Sequence, residues 1–355
     1  MTKPALCYGL LSLLLASTAA IAQTEAIPLS DCPLAGQRLS VHTPVFDILA
    51  NPKARAAVER LAPGVLAALP PAIAGATLPS LSAILPARFV LRNADEATLA
   101  AIDQALRALP LGADDDRMRC ARYDGAPPPP LPAAIDAAAA AIRSMARENG
   151  WQLVFTDRPA SFNSRDLARF DAVIWNNVSG DVLSLGQRAA FKAYIEGGGG
   201  FVGIHGSSGD PVTFWDWYAD TLVGARFKGH PMQPQFQEGR LVVDDTGSEI
   251  VAGLDRGWTM SEEWYSFHTS PRESGARVLV TLDERSYQPV GFTGDLHMGD
   301  HPIAWTRCVG AGRSFYTAIG HLPESHVHPS AGRLLKQGIG WAAGLGATGC
   351  RAGKP

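Results

Sequence analysis

The run Gly198-Gly199-Gly200-Phe201-Val202-Gly203-Ile204-His205 constrains this fold more than any other segment. Glycines close a helix, a short apolar strand follows, and a histidine stands where the strand stops. The same alternation surrounds it. Leu153–Phe155 and Ala172–Trp175 read as strands, and Ala133–Glu148 and Leu185–Ile195 as helices. After Gly239 come shorter apolar runs at Leu241–Val243, Val278–Val280, Ile303–Trp305 and Arg313–Ala318, and a helix over Arg333–Ala343. Short buried strands alternating with helices predict an α/β protein with a mostly parallel, doubly wound sheet. Ligands of such sheets bind outside the carboxyl ends of the strands, where His205 is placed. The glycine run is not a dinucleotide fingerprint, because it precedes a strand instead of following one.

The 355 residues allow roughly two domains. Residues 1–22 read as a secretory signal: Lys3 gives the positive start, Leu10 to Ala16 the apolar core, and Ala20-Ile21-Ala22 the small-x-small cleavage site. That core is too short to span a bilayer, and no later segment reaches ~20 apolar residues. The expected compartment is the periplasm or the extracellular space. Residues 23–116 form a small all-α module, with helices from Pro44 to Leu49, Pro52 to Leu61 and Asp95 to Leu109. Leu99, Ile102, Leu106 and Leu109 share one face of the third, Asn93 is its expected N-cap, and Pro110 stops it. No chemistry-bearing cluster occurs there, so the module is structural or binds a protein partner. Gly125 and the prolines Pro127–Pro130 make a stiff extended segment inside the remaining unit, 117–355.

A net charge of −3 offers no basic face for nucleic acid. Cys32, Cys120, Cys308 and Cys350 remain after the signal, an even number that favours disulfides in an oxidising compartment. Three pairings are open. Cys32–Cys120 and Cys308–Cys350 are favoured, because one ties together the ends of the first region and the other fastens the tail.

Nine histidines are present, five of them between His297 and His328. Lys228 and His230 stand before Pro231, where an ordinary surface turn is the bland alternative. Glu263 with Trp264 and Tyr265 is either a strand end filling the core or a sugar site, where rings stack and carboxylates meet hydroxyls. Asp300 and His301 precede a strand and either cap it or face a ligand. The i, i+3 spacing of His321 and Glu324 puts them on one side of a helical turn, where the carboxylate could orient the imidazole. His326 and His328 match a metal pair by spacing alone. Histidines and carboxylates together could furnish an N/O site for zinc or a similar divalent ion. No H-x-x-x-H pair or cysteine set specifies one, so the metal-free reading is preferred and the cofactor is left unassigned.

Ordered motifs give a resemblance. Ser179-Gly180-Asp181-Val182-Leu183, Gly198 to His205, Trp215-Asp216-Trp217-Tyr218, Lys228-Gly229-His230-Pro231, Glu263-Trp264-Tyr265, Asp300 to Trp305 and Gly320 to Ser325 resemble the ThuA-like family, named for trehalose utilisation. The resemblance covers about residues 133–344. It implies a flavodoxin-like fold of the class I glutamine amidotransferase type and a role in sugar or keto-sugar catabolism. In that fold a nucleophilic cysteine follows the strand that here ends at Ile204; His205 stands there instead, so glutaminase chemistry is not expected. His321 and Glu324 resemble the His and Glu of the amidotransferase triad. The family usually opens with an apolar strand and a Gly-Phe-Arg-His loop, whereas this chain has the polar stretch Arg117 to Tyr123 and then Gly125-Ala126-Pro127-Pro128. A one-residue insertion around Gly209 also shifts Asp210.

The expected function is therefore an exported sugar-processing enzyme of lyase, hydrolase or isomerase type, acting on a glycoside or keto-sugar derivative. His205, His321 and Glu324 would be catalytic, and Lys228, His230, Glu263, Tyr265, Asp300 and His301 would bind the carbohydrate. The alternative is a non-catalytic carbohydrate-binding or interaction protein on the same fold.

Overall fold

The computed structural model describes residues 27–71, 73–74, 81–123, 133–210, 214–292 and 294–350. The expected signal segment and the prolines Pro127–Pro130 lie outside the described residues.

The N-terminal helices are α1 (Val45–Ala50), α2 (Pro52–Leu61), α3 (Ala87–Val90), α4 (Glu96–Arg107) and α5 (Ala113–Cys120). Leu39, Ile48, Ala54, Val58, Leu91, Ile102 and Leu106 meet in a small core of their own. Pro52 starts α2 as read from the sequence, because Asn51 accepts from the backbone N–H groups of Lys53 and Ala54. The cap of α4 is Asp95, which accepts from the Thr98 N–H, and not Asn93. The polar stretch at 117–120 ends helix α5 and takes no strand conformation. Its Arg119 is buried beside Asp47, and Cys120 is bonded to Cys32. Helix α5 thus crosses the expected 116/117 boundary.

The α/β part adds α6 (Ala133–Asn149), α7 (Ser164–Leu167), α8 (Leu185–Glu196) and α9 (Pro329–Ala342). Its strands are β1 (Ala172–Asn176), β2 (Gly200–Ile204), β3 (Phe227–Gly229), β4 (Gln237–Val243), β5 (Gly257–Glu262), β6 (Ser266–Phe267), β7 (Arg277–Asp283), β8 (Val290–Gly291), β9 (Gly294–Asp295), β10 (Pro302–Val309) and β11 (Gly312–Thr317). Seven of them form one sheet in the order β1-β2-β11-β10-β7-β4-β5. β1, β2 and β11 pair in parallel, and the other four neighbour pairs are antiparallel. Five of the seven strands nevertheless share one direction, since β7 and β5 run with β2. The α/β class expected from the alternation is the class adopted. Leu153–Phe155 is not a strand; Val154 and Phe155 are exposed there, so the apolar triplet has no sheet face to cover.

Alternation along the strands sorts the helices onto two faces. Trp175 and Phe201 point to one face, where Trp175 stacks on Phe191 of α8 and on Tyr218 of a π-helical turn over 217–223. Val202 and Phe315 point to the other, beneath α9, and Gly338 of that helix lies so close to the Phe315 ring that a Cβ would stand 2.5 Å from it. Cys308 is bonded to Cys350, fastening the chain after α9 to β10.

Candidate functional site

After Ile204 the chain turns so sharply that His205 takes φ +39°, a region non-glycine residues seldom enter and one that recurs at functional sites. The His205 ring is buried, with Nδ1 2.7 Å from the carbonyl oxygen of Ala318. A carbonyl only accepts, so Nδ1 carries a proton, and Nε2 is left to face the other two side chains. Nε2 lies 3.1 Å from Glu263 Oε2 and 3.1 Å from His321 Nδ1. The third edge, His321 Nδ1 to Glu263 Oε2, is also 3.1 Å. Three atoms from the ends of β2, β5 and β11 thus form an equal-sided triangle.

Glu263 is buried. Its second oxygen, Oε1, accepts from the Gln235 amide and lies 3.3 Å from His230 Nδ1. Burial pushes the carboxyl up, but hydrogen bonds from His205 and His321, with the nearby His230, outweigh it and hold Glu263 well below the usual carboxylate range. For His321, burial pulls the imidazole down, and the Glu263 hydrogen bond and charge win, leaving it raised. The His321 side chain keeps 40% of its surface exposed, so the triangle opens to solvent on that side. Aromatic rings frame it: Tyr265 lies 4.0 Å from His205, and the exposed Phe236 lies 5.1 Å from His321.

The supporting contacts are specific. Fully buried Glu262 accepts from the backbone N–H of Gly320 at 2.9 Å and of His321 at 3.2 Å, and from the Ser325 hydroxyl at 2.5 Å. It ties the loop after β11 to the end of β5. Gly320 has φ +142°, and a Cβ there would stand 2.7 Å from Ile204 Cγ2. Asn177 accepts from the Gly206 N–H and donates to the Gly320 carbonyl, linking the loops after β1, β2 and β11.

His205, His321, Glu263, His230 and Tyr265, all singled out from the sequence, come together. His301 sits one layer behind: Nε2 bonds the Tyr265 carbonyl at 2.9 Å and Nδ1 bonds Glu284 at 2.9 Å. Asp300 is engaged by Ser270 and Arg272. Lys228 lies on β3 and acts electrostatically on Asp295. Glu324 is exposed, and Glu263, not Glu324, is the carboxylate on His321. Nor do His326 and His328 form a pair: His326 is buried with Nε2 unpartnered among the described residues, and His328 caps α9. Sequence reading did not single out Glu262, Gln235 or Phe236. The adjacent acids Glu262-Glu263 at a strand end were the available signal for the first; nothing local marked the other two.

A cavity of about 70 Å³ adjoins the 205–210 turn. Asp181, Arg188, Ser208, Asp210 and Trp215 are among the residues lining it.

Fold and site together define an α/β protein with a His–Glu–His cluster, open to solvent at one histidine, at the carboxyl ends of its strands. The model of the trehalose utilisation family, ThuA, matches residues 132–342, and the chain belongs to that family. Among solved structures, a protein described as ThuA-like from Bacteroides uniformis is 24% identical with a TM-score of 0.52, over 60% of this chain and 86% of its own. Another described as ThuA-like, from Parabacteroides merdae, is 19% identical with a TM-score of 0.44, over 59% of this chain and 85% of its own. The first of these likenesses supports a shared fold. None of the curated proteins compared with the chain matches it.

Proposed function

We propose that the protein is an enzyme of carbohydrate catabolism that moves a proton next to the carbonyl of a keto-sugar derivative. The observation that carries this is the triangle of His205, Glu263 and His321, open to solvent beside His321. A carboxylate held ionised against an imidazole is the pairing that orients a histidine base and stabilises its protonated form. In this reading a histidine at the site, His205, His321 or the adjoining His230, takes the proton from the carbon beside the carbonyl, and the electron pair moves onto the carbonyl oxygen. Return of the proton gives isomerisation; loss of a β-substituent gives elimination. The exposed Phe236 ring offers a face for the sugar. Family membership supports the carbohydrate class.

A panel of glycosides and their keto derivatives, assayed with the wild type and His321→Ala, tests this. Turnover confined to the keto forms and lowered at least 10²-fold in the variant is expected. Saturable binding of the panel without turnover would favour the carbohydrate-binding alternative.

We also read the chain as exported. The two disulfides support this, and among the described residues no helix is long and apolar enough to cross a membrane. A mature N-terminus at Gln23 in exported protein is the expected outcome. The helical module braces the α/β part in this reading: Asp31 accepts from Ser184 Oγ and the Gly186 N–H at the start of α8, and Tyr123 donates to Asp181. These contacts favour bracing over the protein-partner role.

A further inference from the structure

The equal-sided triangle of His205 Nε2, Glu263 Oε2 and His321 Nδ1 needs explaining, because hydrogen bonds alone fill it poorly. His205 gives its Nδ1 proton to Ala318, and Nε2 is the atom it turns to the triangle. Each of the three atoms either donates or accepts. Whatever the protonation state, at least one 3.1 Å edge therefore sets two donors or two acceptors face to face.

We propose that the triangle is a site for a divalent transition-metal ion, of which zinc is the type, with His205 Nε2, Glu263 Oε2 and His321 Nδ1 as its three protein ligands. This deepens the functional reading above and rests on it for the role of the ion, though not for its binding. The dimensions fit. An ion ~2.0–2.1 Å from each atom would sit about 1 Å out of their plane and subtend about 98° between ligands, close to the angles of a three-ligand catalytic centre. Two imidazoles and one carboxylate form the N/O donor set that suits such ions.

The surroundings are those of a held ligand set. The Nδ1–H of His205 is fixed on a backbone carbonyl, the usual second contact of a metal-bound histidine. Glu263 is steadied through Oε1 by the Gln235 amide, leaving Oε2 to face the triangle. Glu262 fixes the backbone of His321. The exposed side of His321 leaves room for water or a substrate oxygen at the open coordination position. An ion there would polarise a substrate carbonyl, and His230, beside Glu263 Oε1 but outside the triangle, would remain to carry a proton.

The test uses full-length protein without a histidine tag, stripped by chelator and titrated with zinc against a chromophoric competitor, and separately with cobalt. The expected result is one equivalent of tightly held zinc per chain and visible cobalt bands. His205→Ala and His321→Ala should each weaken zinc binding at least 100-fold, whereas His297→Ala, on an exposed residue paired with Asp295, should leave it unchanged. His321 is partly exposed, so its variant tests the site even if His205→Ala fails to fold. Binding of less than half an equivalent, or an equivalent that persists in His321→Ala, would overturn the proposal. Turnover of keto-glycosides by chelator-stripped protein would overturn the ion's catalytic role while leaving the proton-transfer reading intact. Stoichiometric zinc without turnover would uphold the binding site and sink that reading.

Discussion

At the scale of single residues, the site depends on which carboxylate meets His321. Glu324 lies three residues away in sequence and is exposed; Glu263 lies 58 residues away and is buried against the ring at 3.1 Å. Spacing along the chain cannot report a contact of that separation, because only the folded sheet sets it. Glu263→Gln should lower turnover by at least 10²-fold, the usual scale for losing a group that assists proton transfer. Glu324→Gln should change it less than threefold. Comparable losses in steady-state kinetics of the two variants would refute the assignment. Gly320 is a second residue-scale test. Its φ of +142° and the 2.7 Å approach of a Cβ to Ile204 leave no room for a side chain. Gly320→Ala should destabilise the protein by about 1–3 kcal/mol in urea unfolding.

At the scale of elements, strand ends are held together by buried carboxylates. Glu262 at the end of β5 receives two backbone N–H groups and a hydroxyl from the loop after β11. Glu262→Gln would replace one accepting oxygen by an NH2 donor that faces those donors. A loss of about 2 kcal/mol or more is expected, because each buried donor left unpaired costs about 1–3 kcal/mol. Retained stability with full turnover would show that the loop is held by other contacts. Glu284 does similar work behind the site. Burial raises its carboxyl, but His301 and the N–H groups of Met298 and Gly299 outweigh this and bring it down to about 2 from the ordinary 4.5. A carboxyl depressed in the folded state stabilises fully above its unfolded value, and that stability is lost as pH falls from about 4.5 toward 2. Glu284→Gln should therefore be less stable than the wild type by about 2 kcal/mol at pH 7, and the gap should narrow from about pH 4.5 downward and close only near pH 2. A gap that does not narrow on acidification would refute the pairing.

At the scale of the whole molecule, two disulfides tie distant parts together. Cys32–Cys120 closes 88 residues and Cys308–Cys350 closes 42. On the chain-entropy account, loops of these lengths are worth about 4–5 kcal/mol each, the longer one more. Non-reducing mass spectrometry should find none of these four cysteines as free thiols. The Cys32→Ser/Cys120→Ser double variant should unfold with a markedly lower midpoint, and an unchanged midpoint would show that Asp31, Arg119 and the small helical core hold the module without it.

The sequence by itself determined the elements and much of the cast. Periodicity located β1, β2, α8 and α9, since period-2 and period-3.6 burial are local properties of a chain. His205 was legible because a strand end in an α/β sheet is a recognisable place. Both disulfide pairs followed the sequence reading. Leu153–Phe155 misled because an apolar triplet becomes a strand only where a neighbour offers its edge. The polar 117–120 stretch became helix because Asp47 and Cys32 receive its Arg119 and Cys120. Only the tertiary structure decided the site. β5 lies five strand positions from β2, about 24 Å across a flat sheet, yet Glu263, just past β5, touches His205 at 3.1 Å. The sheet must curl and the loops after β5 and β11 must fold inward for that to happen. That curvature is a sum of many strand twists and loop contacts, and no local pattern in the sequence encodes it.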